Sequence, residues 1–461
     1  MKRTVLFLLI LSATINIFAQ NKSLPTIRTK LNRLVLYVNG ERDEFNGINE
    51  ISKTFSYDFA LEKPSVPFAL VSEKDSVAMM LTYGVTTDFQ IIREGKGDTV
   101  LCHFTSHKPV KAAVFNEAYK QANQGKTIVE IPEVYELINV VFALTKYGKT
   151  EAIFKDTEYY KAVIRHFLPY KNHRAVVTFD SLLARSEDYY HNLKMDSYAY
   201  RFDGDHIQNG GVYDRVSWGE NNNLIPYVPM LEQFARQSDF RTFFQKNDPY
   251  YKNLITDFRK NVDVATMKAW LEKQFPSTYY SAIKVIFTPL VGWNQSANRF
   301  EDNGFTEAQM HINFPFVSAS QKNQPPAITR GERMKIAFTE LNHSYLNPEA
   351  DKYATQVSTA FQDLSKWTTP NTPSSSSYNN PLSCFEEYMN YALVTLLFHD
   401  LFDTKTFTLL TARTEKSMTT NRGFRKFGEF DQELLRLYQS RKPGQTVADL
   451  YPAIIGWAAK Q

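Results

Sequence analysis

The stretch from Arg330 to Pro348 constrains the fold more than any other part of the chain. It reads RGERMKIAFTELNHSYLNP, and its final Asn347-Pro348 pair is a stop signal for a helix. Two strand-like apolar runs precede it, at residues 283–288 and 309–314, and a polar, Pro-rich loop follows the second run. The sequence therefore predicts two strands followed by a long helix over residues 330–346.

One face of this helix has the residue spacing of a metal site. In a His-Glu-x-x-His motif the histidines lie four residues apart on one helix face and bind zinc, while the glutamate takes a proton from the metal-bound water. Glu340 and His343 occupy the positions of the glutamate and the second histidine, but Thr339 replaces the first histidine. The order strand, loop, strand, loop, helix is typical of zinc proteases that carry this motif.

A third ligand must come from another part of the chain, since zinc in enzymes takes three protein ligands and a water. The helix predicted over residues 383–398 offers Glu387, which shares a face with Tyr391 four residues later. His311, on the strand before the motif helix, is a candidate substitute ligand. Because Thr339 is a weak ligand, the sequence predicts much less than one zinc ion per chain.

Length and charge narrow the class of protein. The 461 residues suit two or three domains, and the formal net charge of +4 without a basic stripe argues against a nucleic-acid partner. Residues 1–20 combine Lys2 and Arg3 with an apolar run and a small Ala19, the pattern of a secretory signal. No later run reaches the length of a membrane span. We therefore expect an exported protein, periplasmic or extracellular, with no transmembrane segment in the mature chain.

The remaining sequence predicts an α+β fold. Residues 21–110 contain short strand-like runs and a hairpin signal at Glu94-Gly95-Lys96-Gly97-Asp98, which indicate a β-rich N-terminal domain. Residues 111–461 have mainly helical spacing, with a small sheet and a flexible linker at residues 368–380. His103 and His107 are too far apart on an extended strand to share a metal.

The two cysteines, Cys102 and Cys384, lie 282 positions apart, in different predicted domains. We expect two buried free thiols rather than a disulfide bond.

Three segments extend the motif into a family resemblance. The run MKIAFTELNHSYLNP resembles the HEfsHsfvNp signature of an uncharacterised bacterial family of exported proteins of unknown function, whose members look like gluzincin-type zinc metallopeptidases. Residues 131–137 (IPEVYEL), residues 387–392 (EYMNYA) and Arg422-Gly423-Phe424 resemble the same family. The resemblance covers roughly residues 110–461.

The resemblance implies a metallopeptidase-like domain, a zinc cofactor, Glu340 as general base, and His343 and Glu387 as metal ligands. Thr339 departs from the pattern. The primary hypothesis is therefore a catalytically impaired metallopeptidase-like protein that binds peptide or protein in its cleft. One alternative is an active zinc peptidase completed by His311 or another residue. A second is a cell-envelope module that binds a glycan or a protein through the N-terminal domain.

Overall fold

The computed structural model describes residues 24–48, 51, 55–61, 63–219, 221–293, 295–318 and 321–461. The predicted signal sequence at residues 1–20 lies outside this part of the chain. The chain divides after Lys108 into two compact units, which we call the β unit and the helical unit. The predicted α+β class is confirmed, because strands dominate the first unit and helices the second.

The β unit is built from two four-stranded sheets, with strand orders β1-β7-β8-β4 and β3-β2-β5-β6. The predicted hairpin is confirmed as β7 and β8, which pair antiparallel from Thr87↔Phe104 to Arg93↔Asp98. The strands span Thr26–Thr29 (β1), Leu34–Val38 (β2), Glu41–Ile48 (β3), Phe55–Ala60 (β4), Ser65–Val71 (β5), Ser76–Thr82 (β6), Thr87–Arg93 (β7) and Asp98–His107 (β8).

Apolar side chains on alternate positions join the two sheets of the β unit. Phe68 on β5 and Phe104 on β8 lie 5.3 Å apart between ring centroids, and both are buried. On the outer face His103 pairs with Asp88 and His107 with Asp58, at 2.7 and 3.0 Å. The two histidines thus have separate partners.

The helical unit contains a four-stranded sheet, a short hairpin and a series of helices. The strands are Thr127–Glu130 (β9), Tyr200–Asp203 (β10), His206–Asn209 (β11), Ala282–Thr288 (β12), Ser296–Asp302 (β13) and Phe305–Asn313 (β14). The helices are Glu117–Asn123 (α1), Glu133–Leu144 (α2), Glu158–Phe167 (α3), Arg174–Leu183 (α4), Asp188–Asp196 (α5), Val228–Gln237 (α6), Phe240–Lys246 (α7), Asp248–Asn261 (α8), Val264–Gln274 (α9), Pro326–Asp351 (α10), Ala354–Ala360 (α11), Pro373–Ser377 (α12), Pro381–Leu401 (α13), Thr404–Lys416 (α14), Phe427–Gln439 (α15) and Tyr451–Ala458 (α16). Among the described residues, no helix has both the length and the apolarity needed to cross a bilayer.

The sheet of the helical unit has the order β13-β14-β12-β9. Strands β9, β12 and β14 run parallel, while β13 pairs antiparallel with β14 and forms one edge. The two predicted strands correspond to β12 and β14. Sequence periodicity missed the edge strand β13, whose alternation of polar and apolar residues is irregular.

The predicted end of the motif helix at Asn347-Pro348 is wrong, since α10 continues to Asp351. Proline inside a helix cannot donate a hydrogen bond to the carbonyl four residues earlier, which here belongs to Ser344. The hydroxyl of Tyr280 donates to that carbonyl at 2.6 Å. The bond from Tyr280 replaces the one that Pro348 cannot make, so the helix continues.

The predicted flexible linker at residues 368–380 also needs correction. Its centre forms the short helix α12, which begins with a capping box between Thr372 and Ser375. Ser374 is completely buried, and Thr368 forms a backbone bridge with Phe424. A run of serines and threonines looks like a linker in sequence, but here its hydroxyls cap a helix and bond to a neighbouring turn. The prediction of two free, buried cysteines is confirmed for Cys102 and Cys384.

Gly292, shortly after β12, offers a direct test of this packing. A Cβ at this position would lie 2.1 Å from the carbonyl oxygen of Glu151, a backbone atom that cannot turn away. We expect Gly292→Ala to lower the free energy of unfolding by about 1–3 kcal/mol, the cost of overpacking. Urea denaturation followed by circular dichroism measures this change.

The matched control is Gly456→Ala in α16, where an added Cβ meets nothing within 4 Å. Because alanine favours the helix more than glycine does, this variant should be neutral or slightly more stable. Equal stability of the two variants would contradict the close contact at Gly292.

Candidate functional site at the α10–α13 interface

Helices α10 and α13 meet through a buried pair of asparagines. The side-chain amide of Asn342 donates to the backbone carbonyl of Asn390 at 3.0 Å, and both residues are almost completely buried. A buried polar group without a partner is costly, so this bond favours one register between the two helices. That register places His343 and Glu387 side by side, with His343 Nε2 lying 3.6 Å from Glu387 Oε2.

Both ring nitrogens of His343 have partners. The side-chain amide nitrogen of Asn390 lies 2.8 Å from Nε2, and Asn347 Oδ1 lies 3.0 Å from Nδ1. Since an amide nitrogen can only donate, Nε2 accepts, and the proton of the neutral ring is on Nδ1. Nε2 is the nitrogen that faces Glu387, and Asn390 occupies its lone pair.

The carboxylate of Glu387 is held at both oxygens. Arg422 Nη1 lies 2.6 Å from Oε1, and the Asn390 amide donates to Oε2 at 3.0 Å. The Glu387 side chain is only 3% exposed. Burial on its own would raise the pKa of Glu387, but the charge of Arg422 and the neighbouring His343 outweigh burial and bring the pKa below its ordinary value. Glu387 is therefore ionised and paired.

Arg422 is enclosed by aromatic rings. Its guanidinium donates to the hydroxyl of Tyr378 at 3.0 Å and lies 4.8 Å from the ring centre of Tyr391. The backbone around it is anchored by Ser374, whose N–H donates to the Arg422 carbonyl and whose hydroxyl donates to the Gly423 carbonyl. The segment predicted as a linker thus fixes the position of the arginine.

Thr339 does not face this cluster as a ligand. Its hydroxyl donates to the carbonyl of Ile336 on the preceding helical turn, at 3.3 Å. This is the usual bond of a threonine inside a helix, and Thr339 is buried. The position of the first histidine is therefore filled by a side chain that bonds to its own helix.

Glu340 lies beside a buried lysine. Burial and the charge of Glu387 raise the pKa of Glu340 to about 8, although Lys194 on α5 and Arg422 oppose the shift. Burial lowers the pKa of Lys194 to about 7, and the charge of Glu340 opposes that change. Both side chains are poorly solvated, and this burial disfavours the charged form of each. At neutral pH Glu340 is mostly protonated.

His311 is buried on β14 and contacts neither His343 nor Glu387 through a hydrogen bond or ion pair among the described residues. Its Nε2 lies 3.3 Å from Gln309 Oε1, and its ring packs 5.7 Å from that of Tyr135. Burial and the charge of Lys194 bring the pKa of His311 well below its ordinary value. The structure thus brings together His343, Glu387 and Glu340, while the polar contact of His311 is with Gln309.

These contacts do not fit a zinc centre, the metal implied by the family resemblance. Zinc would need His343 Nε2 and the Glu387 carboxylate to share one cation with a third protein ligand and water. Instead the Asn390 amide joins them, the Arg422 guanidinium binds the other carboxylate oxygen, and Thr339 bonds to its own helix. In the described residues, no three His, Cys, Asp or Glu side chains are grouped to hold a metal.

Sequence reasoning missed three polar residues of this cluster: Lys194, Tyr378 and Asn390. Asn390 follows Glu387 by three residues on the same helix, so helical spacing could have included it. Lys194 has no such signal, because it comes from α5, far away in the sequence. Arg422 belongs to the segment Arg422-Gly423-Phe424 of the family resemblance, but that segment does not indicate which residue the arginine pairs with.

Residues 127–457 match the model of a family described as a domain of unknown function, DUF4932. The chain belongs to the DUF4932 family. The resemblance to a family of unknown function is confirmed at this level, and the matched region contains α5, α10, α13 and Arg422. No curated protein and no solved structure matches the chain.

The Arg422–Glu387 pair yields a stability prediction. Breaking a buried pair by removing one partner costs about 3–5 kcal/mol, because a buried charge is left uncompensated. We expect Arg422→Met to lower the free energy of unfolding by this amount at pH 7. Since the folded-state pKa of Glu387 is lowered, the pair stabilises the protein above the unfolded-state pKa and loses this effect as the pH falls through the folded-state value.

The deficit of Arg422→Met should therefore shrink as the solution is acidified, which urea denaturation at several pH values measures. The control is Arg436→Met, which removes the exposed arginine of a surface pair with Glu433. Its expected effect is within about 0.5 kcal/mol. A pH-independent deficit in Arg422→Met would argue that packing, and not charge, is what Arg422 supplies.

Proposed function

We propose that this DUF4932 protein is an exported, metallopeptidase-like protein that binds peptide without cleaving it. One observation carries the proposal: both oxygens of Glu387 are bound by Arg422 and Asn390, at the place where a metallopeptidase would hold its cation. The arginine compensates the charge of the carboxylate. It cannot act as the metal does, because a guanidinium activates no water.

The architecture supports the metallopeptidase-like part of this proposal. A small sheet with an antiparallel edge strand precedes a long helix, α10, and a glutamate on the later helix α13 meets the histidine of α10. This is the order that the family resemblance implies. The matched region of the family covers all of these elements.

Two residues argue against efficient catalysis. Glu340, in the position of the general base, is buried, and burial together with the charge of Glu387 raises its pKa. Thr339, in the position of the first ligand, bonds to its own helix. The alternative of a zinc peptidase completed by His311 is less well supported, because His311 bonds to Gln309 and packs against Tyr135.

The proposal predicts weak metal binding. After equilibrium dialysis against zinc, the wild-type protein should retain well below one zinc per chain by elemental analysis. Loss of outer contacts around a zinc site already costs ~10–100-fold in affinity, and a missing ligand costs more. Thr339→His should raise zinc retention by supplying an imidazole, and adding His343→Ala should remove the gain.

Thr339→Val is the matched control, since it changes the same position without adding a ligand. Its zinc content should equal that of the wild type. Stoichiometric zinc in the wild-type protein that is lost in His343→Ala would contradict the proposed metal-free site.

The edge strand β13 suits an extended peptide. The indole N–H of Trp218 donates to the carbonyl of Ala297 at 2.9 Å, so the backbone groups of Ala297 point away from β14. Because neighbouring residues on a strand alternate in direction, Arg299 and Glu301 also direct their backbone groups outward. The N–H of Arg299 donates to Oδ1 of Asn298 at 2.8 Å, a side-chain bond that a peptide strand would have to replace. A peptide that pairs with this edge would gain main-chain hydrogen bonds beside α10, the mode of recognition known as strand addition.

The variant Arg299→Pro tests whether a peptide binds to the outer edge of β13. Proline removes the outward N–H of Arg299 and leaves the hydrogen bonds between β13 and β14 unchanged, because edge strands tolerate proline on their outer side. We expect retention of a pool of random octapeptides, measured by mass spectrometry, to fall by about tenfold, the equivalent of one or two hydrogen bonds. The retained peptides should be uncleaved.

The matched control is Arg299→Ala, which removes the side chain and keeps the N–H. If both variants lose binding equally, the side chain of Arg299 and not the strand edge is responsible. Unchanged binding in Arg299→Pro would exclude strand addition at β13.

A further inference from the structure

Lys335 lies on the same face of α10 as the candidate site. Lys335, Thr339 and His343 follow one another at intervals of four residues, and each interval advances about 6 Å along the helix. Lys335 therefore comes one turn before Thr339. Its side chain is partly buried.

Two arginines bring further positive charge to this position. Helix α14 packs tightly on α10, since a Cβ at Gly331 would lie 2.4 Å from Cδ1 of Leu410. Arg413, one turn after Leu410, bonds to Glu332 and to Gln324 Oε1. Burial and the charges of Arg413 and Arg422 lower the pKa of Lys335, although Glu332 opposes the shift.

The carboxylate that acts on Lys335, Glu332, already has partners at both oxygens. Glu332 Oε1 pairs with Arg413, and its Oε2 accepts a hydrogen bond from Gln321 at 2.8 Å. Among the described residues, no carboxylate lies within ion-pair distance of Lys335. In the described part of the chain, Glu332 is thus paired with Arg413, and Lys335 is left without an ion-pair partner of its own.

A partly buried ammonium group without an ion-pair partner favours an anion, because pairing offsets the cost of its lost hydration. We propose that Lys335 binds a carboxylate of the bound peptide, either its C-terminus or an aspartate or glutamate side chain. This inference rests on the proposed peptide-binding function. It adds a chemical class to it: the preferred ligands are acidic peptides or peptides with a free C-terminus that lies against α10.

The experiment uses the mature, full-length protein and four pools of N-acetylated random octapeptides. The first pool has free C-termini and no acidic residues, and the second is its C-terminal amide. The third pool is amidated and carries one glutamate per peptide, and the fourth carries glutamine in its place. Retained peptides are counted by mass spectrometry. The first pair of pools tests the C-terminal carboxylate, and the second pair tests the acidic side chain.

We expect the wild type to retain one or both carboxylate-bearing pools about tenfold better than the neutral counterpart, as one charged hydrogen bond would give. Lys335→Met should abolish this preference, while binding of the neutral pools stays the same. Lys335→Arg should keep it. Lys260→Met, which removes an exposed lysine of α8, is the matched control and should behave like the wild type. Thermal unfolding checks that each variant is folded.

The outcomes separate the two proposals. If the wild type retains neutral and carboxylate-bearing pools equally, or if Lys335→Met keeps the preference, the assignment of Lys335 is overturned while peptide binding stands. If the wild type retains no pool, the proposed function fails and the carboxylate assignment fails with it. A preference confined to the first or to the third pool identifies which carboxylate Lys335 binds.

Discussion

A carboxylate buried between two helices needs a compensating charge, and for Glu387 that charge is the guanidinium of Arg422. The arrangement around the pair follows from this requirement. Tyr378 and Tyr391 enclose the guanidinium, and the backbone that carries Arg422 is fastened to Ser374. The serine- and threonine-rich segment at residues 368–380 is ordered because it holds the arginine. Without that turn, the α10–α13 interface would contain an unpaired negative charge.

The Arg422–Glu387 pair stabilises the arrangement of the helices without supplying the chemistry of a metal ion. A metal ion between His343 and Glu387 would balance the carboxylate and activate water, whereas an arginine and an asparagine amide supply only the balance and the hydrogen bonds. The pKa of Glu340 depends on the same neighbours. Beside an ionised Glu387 and in a poorly hydrated setting, its pKa rises to about 8, so it is mostly neutral at pH 7. Helices α10 and α13 are thus joined by a compensated charge and by hydrogen bonds of Asn342 and Asn390.

Much of the candidate site could be predicted because its parts are local in sequence. Glu340 and His343 share a helix, and the spacing of Glu387 to Tyr391 favours Glu387 over its neighbour Glu386. The structure places Glu386 elsewhere, near Asp351 and Arg299, where burial raises its pKa to about 8. Periodicity could not locate Lys194 or assign a partner to Arg422, since their contacts join elements that are distant in the chain.

The sequence by itself determined the α+β class, the hairpin of the β unit, the helix around Thr339-Glu340 and the free state of the cysteines, because these depend on spacing, turn residues and count. Tertiary structure alone decided how far α10 runs and what faces its polar residues. Pro348 lies inside the helix because Tyr280 bonds to the carbonyl that proline leaves unpaired. Arg422 faces Glu387 because a buried carboxylate needs a compensating charge. The packing of elements that are distant in the chain supplies this partner, and no local motif indicates it.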